Sequence, residues 1–407
     1  CSSDLRTAQL DSWQLAPTEL QALGATLKLE EAWWRAPLGA GAAEPSARVH
    51  ARILPLDVVS WLQRVQPDAG WGGQLMASGM LRFDRDPAAG LKVDALLSRD
   101  RGDISLREPT IEGSQAQALG LKQAKLALLG QGGVWTLSEV FEGTLLGRLE
   151  GEQRVATGDA HRWPAPRDPL NGALTVSAPS LRPWGTWMPA GWRLGGQAQL
   201  KAVLAGTVAA PTYTGTLEAQ QLSLSQALMG VQLRDGELLA QLTGDRLTLQ
   251  RLTAKSGASG TVSATGEAQL MAPVHAHLQV QADRFAVLQR VDRRLVVSGN
   301  TVLDLSEEDI SVEGAVSVDE GLFDISRSDA PTIGDDVNVL SDRQVASDDE
   351  ATAGTPRKVK LKVDIDLGQK LRLQGRGLEA TLTGKLRAGM SGRKPTLQGT
   401  VGVAQGR

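Results

Sequence analysis

Lys358-Val359-Lys360-Leu361-Lys362-Val363-Asp364-Ile365-Asp366-Leu367 is the stretch that decides the fold. Val359, Leu361, Val363, Ile365 and Leu367 alternate with Lys358, Lys360, Lys362, Asp364 and Asp366. Successive side chains of a strand point to opposite faces, so this segment has one aliphatic and one charged face. The pattern recurs in Leu378, Ala380, Leu382 and Leu386, set against Glu379, Thr381, Thr383 and Lys385. It recurs in Val262, Ala264, Ala268 and Leu270 against Thr261, Ser263, Glu267 and Gln269. Val274, Ala276, Leu278 and Val280 continue it, as do Leu295, Val297, Leu303 and Leu305. Near the start, Val49, Ala51 and Ile53 alternate with Arg48, His50 and Arg52. Turn signals such as Arg234-Asp235-Gly236-Glu237, Gly375-Arg376-Gly377 and Ser391-Gly392-Arg393 separate these short segments. The expected fold is all-β, a long antiparallel meander with a few short helices.

Composition agrees. The 407 residues include 45 Gly and 18 Pro, with 41% hydrophobic and only 4% aromatic residues. Glycine in that excess, with no collagen period, favours turns over long helices. A formal charge of −3 gives no reason to expect a nucleic-acid partner. High apolar content with low net charge argues against disorder of the whole chain. The single cysteine, Cys1, excludes an intramolecular disulfide framework. A first residue of Cys is read as the cut end of a longer polypeptide, with a lipoprotein acylated on Cys1 as the alternative. No run approaches the ~18 apolar residues a membrane helix requires, so any anchor is expected outside these residues.

Helical signal is confined to interruptions. Asp57 can cap a turn whose apolar residues Val58, Trp61, Leu62 and Val65 share one stripe, stopped by Pro67. Pro17 to Leu23 reads as another brief helix, and Leu181 to Trp192 as one or two turns. These interruptions suggest a repeat of a short helix followed by strands. Aligning Gly73, Gly196 and Gly299 spaces the modules by 123 and 103 residues. Tryptophans beside Gly or Pro, such as Trp71, Trp184 and Trp192, read as plugs at module junctions. The organisation expected is an N-terminal β segment over 1–180, a central one over 181–325, an acidic flexible loop over 326–357, and C-terminal strands over 358–407.

A long sheet with one apolar face must hide that face from water. It can pack on itself or curl around something else. The apolar positions here are mostly Leu, Val and Ala, which would line a featureless trough suited to alkyl chains. Each buried methylene gains ~0.8 kcal/mol without a directional partner, so a C16 tail gains on the order of 10 kcal/mol before entropy costs. Composition alone does not separate such a trough from a filled core.

The C-terminal run Asp366-Leu367-Gly368-Gln369-Lys370-Leu371-Arg372-Leu373-Gln374-Gly375-Arg376-Gly377-Leu378, continuing into Ala380-Thr381-Leu382-Thr383-Gly384-Lys385-Leu386, resembles the C-terminal domain of the TamB family of translocation and assembly module proteins. Val312-Glu313-Gly314, Gly321-Leu322-Phe323-Asp324-Ile325, Asp335-Asp336-Val337 and Leu397-Gln398-Gly399-Thr400-Val401 sit in the family's order. The resemblance runs from about Trp192 to Arg407. It implies kinship with the AsmA-like, bridge-type lipid transfer proteins: a periplasmic location, an inner-membrane anchor, and a U-shaped β-taco whose hydrophobic groove takes phospholipid acyl chains. It also implies an Omp85-type barrel partner in the outer membrane, met through a terminal tail beyond Arg407.

The groove residues expected on this reading are Val262, Ala264 and Leu270; Val274, Leu278 and Val280; Leu295 and Val297; Val359, Leu361, Val363 and Ile365; Leu371 and Leu373; and Leu378, Leu382 and Leu386. Catalytic chemistry is not legible. His275 and His277 share a strand face but lie on its polar side with Gln279 and Gln281, so neither a metal nor any other cofactor is expected. Gly375-Arg376-Gly377-Leu378-Glu379-Ala380 spells a dinucleotide fingerprint, yet alternates as a strand where that motif needs a helix. The function expected is non-enzymatic transfer of phospholipid between inner and outer membrane. The alternative is a scaffold whose edge strands template outer-membrane β-barrels, and a weaker third is a solenoid lipoprotein with a self-filled core.

Overall fold

The computed structural model describes residues 12–22, 25–37, 44–106, 116–188, 191–228, 230–269, 274–306, 308–326, 358–391 and 394–406. Strand accounts for 76% of the described residues and helix for 4%, so the all-β expectation holds. The chain divides into two compact units, Cys1–Gln221 with Leu239–Asp245, and Leu222–Leu238 with Arg246–Arg407. The expected acidic loop lies, apart from Ser326, outside the described residues.

In the first unit the strands Ala25–Arg35, Ser46–Asp57, Met76–Asp86, Gly90–Arg101, Leu121–Gln131, Val134–Gly143, Gly147–Ala156, Leu170–Ala178 and Trp192–Gly206 pair antiparallel, each with the next. Directly opposed residues share a face. One row across the meander therefore reads Ala32, Val49, Phe83, Val93, Gly130, Trp135, Val155 and Leu170. Another reads Leu27, Ile53, Gly79, Leu97 and Leu126. The helix Val58–Val65 forms where its stripe and cap place it: Asp57 accepts from the N–H groups of Val59 and Ser60. The turns expected after Leu181 appear as a short 3-10 segment, Pro183–Trp187.

Two expectations need correction. Residues 18–22 of the supposed Pro17–Leu23 helix form the strand Thr18–Ala22, paired with Ala25–Arg35 through Thr18↔Leu29 and Ala22↔Ala25. Five residues cannot recover the cost of nucleating a helix, whereas a hairpin partner satisfies the backbone at once. The third module also departs from the repeat. A helix or helical turn precedes Gly73 and Gly196, but the strand His275–Gln289 precedes Gly299.

In the second unit Arg246–Ser256, Gly260–Gln269, His275–Gln289, Arg293–Ser306 and Asp309–Asp324 continue the antiparallel order. The meander then breaks: Asp309–Asp324 pairs in parallel with both Lys358–Asp366 and Leu371–Gly375. Those two strands lie end to end along one neighbour, and both pair antiparallel with Leu378–Ser391, which in turn pairs with Lys394–Gly406. Alternation reports faces and not strand direction, so it could not announce this parallel step.

The core of the second unit is the cluster Val297, Val318, Leu367 and Leu371, against which Phe285, Leu295, Ile365, Leu382 and Leu386 pack. Gly321 sits beneath it, and a Cβ there would fall 2.3 Å from the Leu371 Cδ1. Leu371→Ala removes a side chain that is 6% exposed, and is expected to cost ~2–4 kcal/mol. Val359→Ala, at a position 44% exposed, is expected to cost under ~1 kcal/mol. Urea unfolding of the two variants checks the ratio.

Candidate functional site

The register assembles most of the expected groove residues on one face of the second unit. Leu278, Leu303, Val312 and Leu361 form one cross-strand row, with Gly266 beside Leu278. Ala264, Val280, Thr301, Gly314, Val363 and Ala388 form the next. Val262 opposes Ala282, Ile365 stands between Val316 and Leu386, and Val359 opposes Ile310. Leu295, Gly321, Leu371 and Leu382 form a further row, and Leu373 lies between Phe323 and Ala380. Val274, just ahead of its strand, and Leu378 are 40% and 44% exposed. Leu270 lies outside the described residues. Leu295, Val297, Ile365, Leu371, Leu382 and Leu386 pack into one cluster.

The opposite face is ionic. Lys360 Nζ reaches Asp309 at 2.7 Å and Arg387 reaches Asp364 at 2.6 Å. The Arg387 hydrogen bond holds the Asp364 carboxyl below the usual carboxylate range. His277 Nδ1 lies 2.6 Å from Asp304, which places it on the polar side, as its neighbours in sequence suggest. Among the described residues no group of three or more His, Cys, Asp or Glu side chains could hold a metal, and no helix is long and apolar enough to cross a membrane.

The first unit holds what the alternation did not disclose. A cavity of about 400 Å³ lies between the sheet and the elements covering it. Its floor comes from six adjacent strands, through Ala77, Leu97, Leu126, Phe141, Leu149 and Val176. Val58, Trp61 and Leu62 of the helix, Trp71 and Trp184 complete the walls. The helix is held in place by Val58 N–H donating to Leu75 O at 3.0 Å and by Val59 packing on Leu75 and Leu121. Trp71 Nε1 donates to Gln66 Oε1 at 3.0 Å, and Gln63 Nε2 donates to the Trp71 carbonyl at 2.8 Å. Trp71 and Trp184, expected as junction plugs, are thus walls of a cavity.

A second cavity, of about 370 Å³, lies on the same sheet face and is lined by Leu128, Trp135, Leu137, Gln153, Val155 and Trp163 among others. Trp163 covers it, with its ring 4.6 Å from that of Trp135 and 5.9 Å from that of Phe83. The loop carrying Trp163 is tied down by Arg162, which grips both Asp168 oxygens at 2.6 and 2.7 Å. That pairing holds the Asp168 carboxyl below its ordinary range. Trp135 lies flat across Gly130, where a Cβ would meet the indole at 2.6 Å.

None of these lining residues was among the sequence-derived candidates. Leu126-Ala127-Leu128-Leu129 is a continuous apolar run whose face is ambiguous, and Glu139 interrupts the alternation of its strand. The usable signal was the helical stripe Val58, Trp61, Leu62 followed at once by Gly70-Trp71-Gly72.

Ser60 Oγ donates to Asp57 Oδ2 at 2.6 Å, and this bond, with the N–H groups of Ser60 and Val59, lowers the Asp57 pKa. A lowered carboxyl contributes stability above its unfolded value of about 3.9, lost as pH falls through the still lower folded value. Asp57→Ala is expected to cost ~1 kcal/mol of local stability at neutral pH. Hydrogen exchange of 58–65 should accelerate in the variant at neutral pH, and in the parent chain only below that acid range.

No solved structure matches this chain. Residues 250–407 match a family model described as the TamB C-terminal domain, in the segment where the rows of the second unit converge on the cluster around Leu371. Over residues 250–407 the chain is therefore similar to the TamB C-terminal domain.

Proposed function

We propose that the apolar sheet faces bind the hydrocarbon of phospholipids and carry it through the periplasm between inner and outer membrane. The observation that supports this reading most is the cavity under the helix Val58–Val65. Its floor is carbon contributed by six consecutive strands, and its walls are Leu, Val and Trp. Such a surface recognises alkyl chains without directional bonds, each methylene contributing ~0.8 kcal/mol. The residues collected in the second unit extend the same chemistry: Val359, Leu361 and Val363 line up on the face that also carries Leu278 and Val280. The ionic face opposite stays with water. An Omp85-type barrel is the partner consistent with the family, and an anchor outside these residues would fix the chain to the inner membrane.

Strand addition for nascent β-barrels is the second reading, favoured by one observation. Lys394–Gly406 pairs on one side only among the described residues, and its Leu397 and Val403 are 65% and 66% exposed. An open edge of this kind accepts another strand.

A photo-crosslinking residue at Leu126, on the cavity floor, is expected to capture phospholipid in cells. The same residue at Arg154, on the opposite face, is expected to capture none. Equal labelling at both positions contradicts the reading. Prolines placed singly at Thr400 and Val401 separate the alternatives, because adjacent residues turn their N–H groups to opposite sides of a strand. The proline at the outward N–H should leave lipid capture intact, and should impair barrel assembly only if strand addition is the function.

A further inference from the structure

The apolar face of the first unit is interrupted between its two cavities. Along the strand Val134–Gly143 the residues turned to that face are Trp135, Leu137, Glu139 and Phe141. Trp135 and Leu137 line one cavity and Phe141 the other, so Glu139 stands between them. Its cross-strand neighbours are Leu126 and Gly151. The carboxylate lies over Gly151, where a Cβ would fall 2.1 Å from Glu139 Oε1. Gln153, from the next strand, donates through Nε2 to that same oxygen at 2.5 Å.

The pair leaves two acceptors over. Glu139 Oε2 and Gln153 Oε1 are both shielded from solvent and have no hydrogen-bond partner among the described residues. No ion pair among those residues reaches Glu139. Buried acceptors without donors cost free energy that a donor restores. The site offers two unpartnered acceptor oxygens and a negative charge, flanked on either side by hydrocarbon-lined space. A methylene chain laid across it would leave both oxygens unsatisfied, and an anionic group would be repelled by the carboxylate.

From this geometry we infer that Glu139 and Gln153 form a polar subsite selecting amphiphiles that bring a hydrogen-bond donor, an ammonium above all, between or beside their apolar parts. The inference rests on the hydrocarbon-binding reading and adds a specificity determinant to it. A charge-assisted bond to the ammonium favours it over an acceptor-only group of equal chain length.

Decylammonium, 1-decanol and decanoate, each below its micellar concentration, are titrated against a fluorescent apolar probe bound to the full chain at neutral pH. Decylammonium is expected to displace the probe at least ~10-fold more tightly than decanoate, with the alcohol between them. Glu139→Leu should bring the three within ~2-fold of one another while the apolar probe still binds. Glu139→Gln, which preserves shape if the leucine variant fails to fold, should lose the ammonium's advantage over the alcohol. Equal affinities in the parent chain overturn the subsite and leave hydrocarbon binding standing. Discrimination that survives both variants also overturns it. A probe displaced by none of the three overturns the subsite and the hydrocarbon reading together.

Discussion

The constraint on which the rest depends is that aliphatic side chains keep to one side of each sheet across many consecutive strands. A slip of a single residue would turn a whole row of leucines and valines into water. Among the described residues of the second unit the register survives five places where an extra residue enters a strand. Between Val296↔Glu320 and Val297↔Val318 the surplus residue is Asp319. Between Ala282↔Gly299 and Phe285↔Val297 the chain gains a residue beside Arg284, which adopts φ +47°. One hydroxyl serves both bulges: Ser298 Oγ donates to Asp319 at 2.5 Å and accepts from the Arg284 N–H at 2.9 Å. The polar surplus is thereby kept on the ionic face, and Phe285, Val297 and Val318 remain in the cluster around Leu371. A further bulge, between Thr381 and Leu382, keeps Val403 opposite Leu382.

The two units meet the demand to cover an apolar face in different ways. In the second, part of the face is closed by its own side chains, since Leu295, Leu371 and Leu382 meet above Gly321. In the first, the cover is separate from the sheet: a capped helix, Trp71, Trp184 and the Trp163 loop stand off the floor and leave room beneath. Aromatic rings at the margin and aliphatic side chains on the floor give a surface with little directional preference, and Glu139 with Gln153 is the exception to it. That carboxylate breaks the apolar face at the spot where two cavities adjoin, which is where a selective contact has most effect on a long ligand.

Much of the fold was legible because a period of two is a direct physical readout of a half-covered strand. The strand Lys358–Asp366, and the placing of Ala264, Val280 and Val363 each on the apolar face of its own strand, follow from it without further information. The helix at Val58 was legible from its cap and stripe. What stayed hidden belongs to tertiary pairing. Strand direction leaves no mark on alternation, so the parallel step between Asp309–Asp324 and Lys358–Asp366 was unreadable. Thr18–Ala22 takes its form from its partner strand and not from its own propensity. The cavity escaped because its walls come from separated positions, Trp61, Phe141 and Trp184 among them, and because tryptophan beside glycine reads equally well as filler.

The claim at the centre is that hydrocarbon from another molecule completes the apolar surface of this chain. Its most direct test is native mass spectrometry of the chain purified without detergent, followed by analysis of its organic extract. The account predicts discrete adducts with the masses of two-chain phospholipids, released by organic solvent and reduced when Leu126 or Leu149 is replaced by a charged residue. A folded chain that carries no lipid, and takes none up when mixed with phospholipid vesicles, would contradict it.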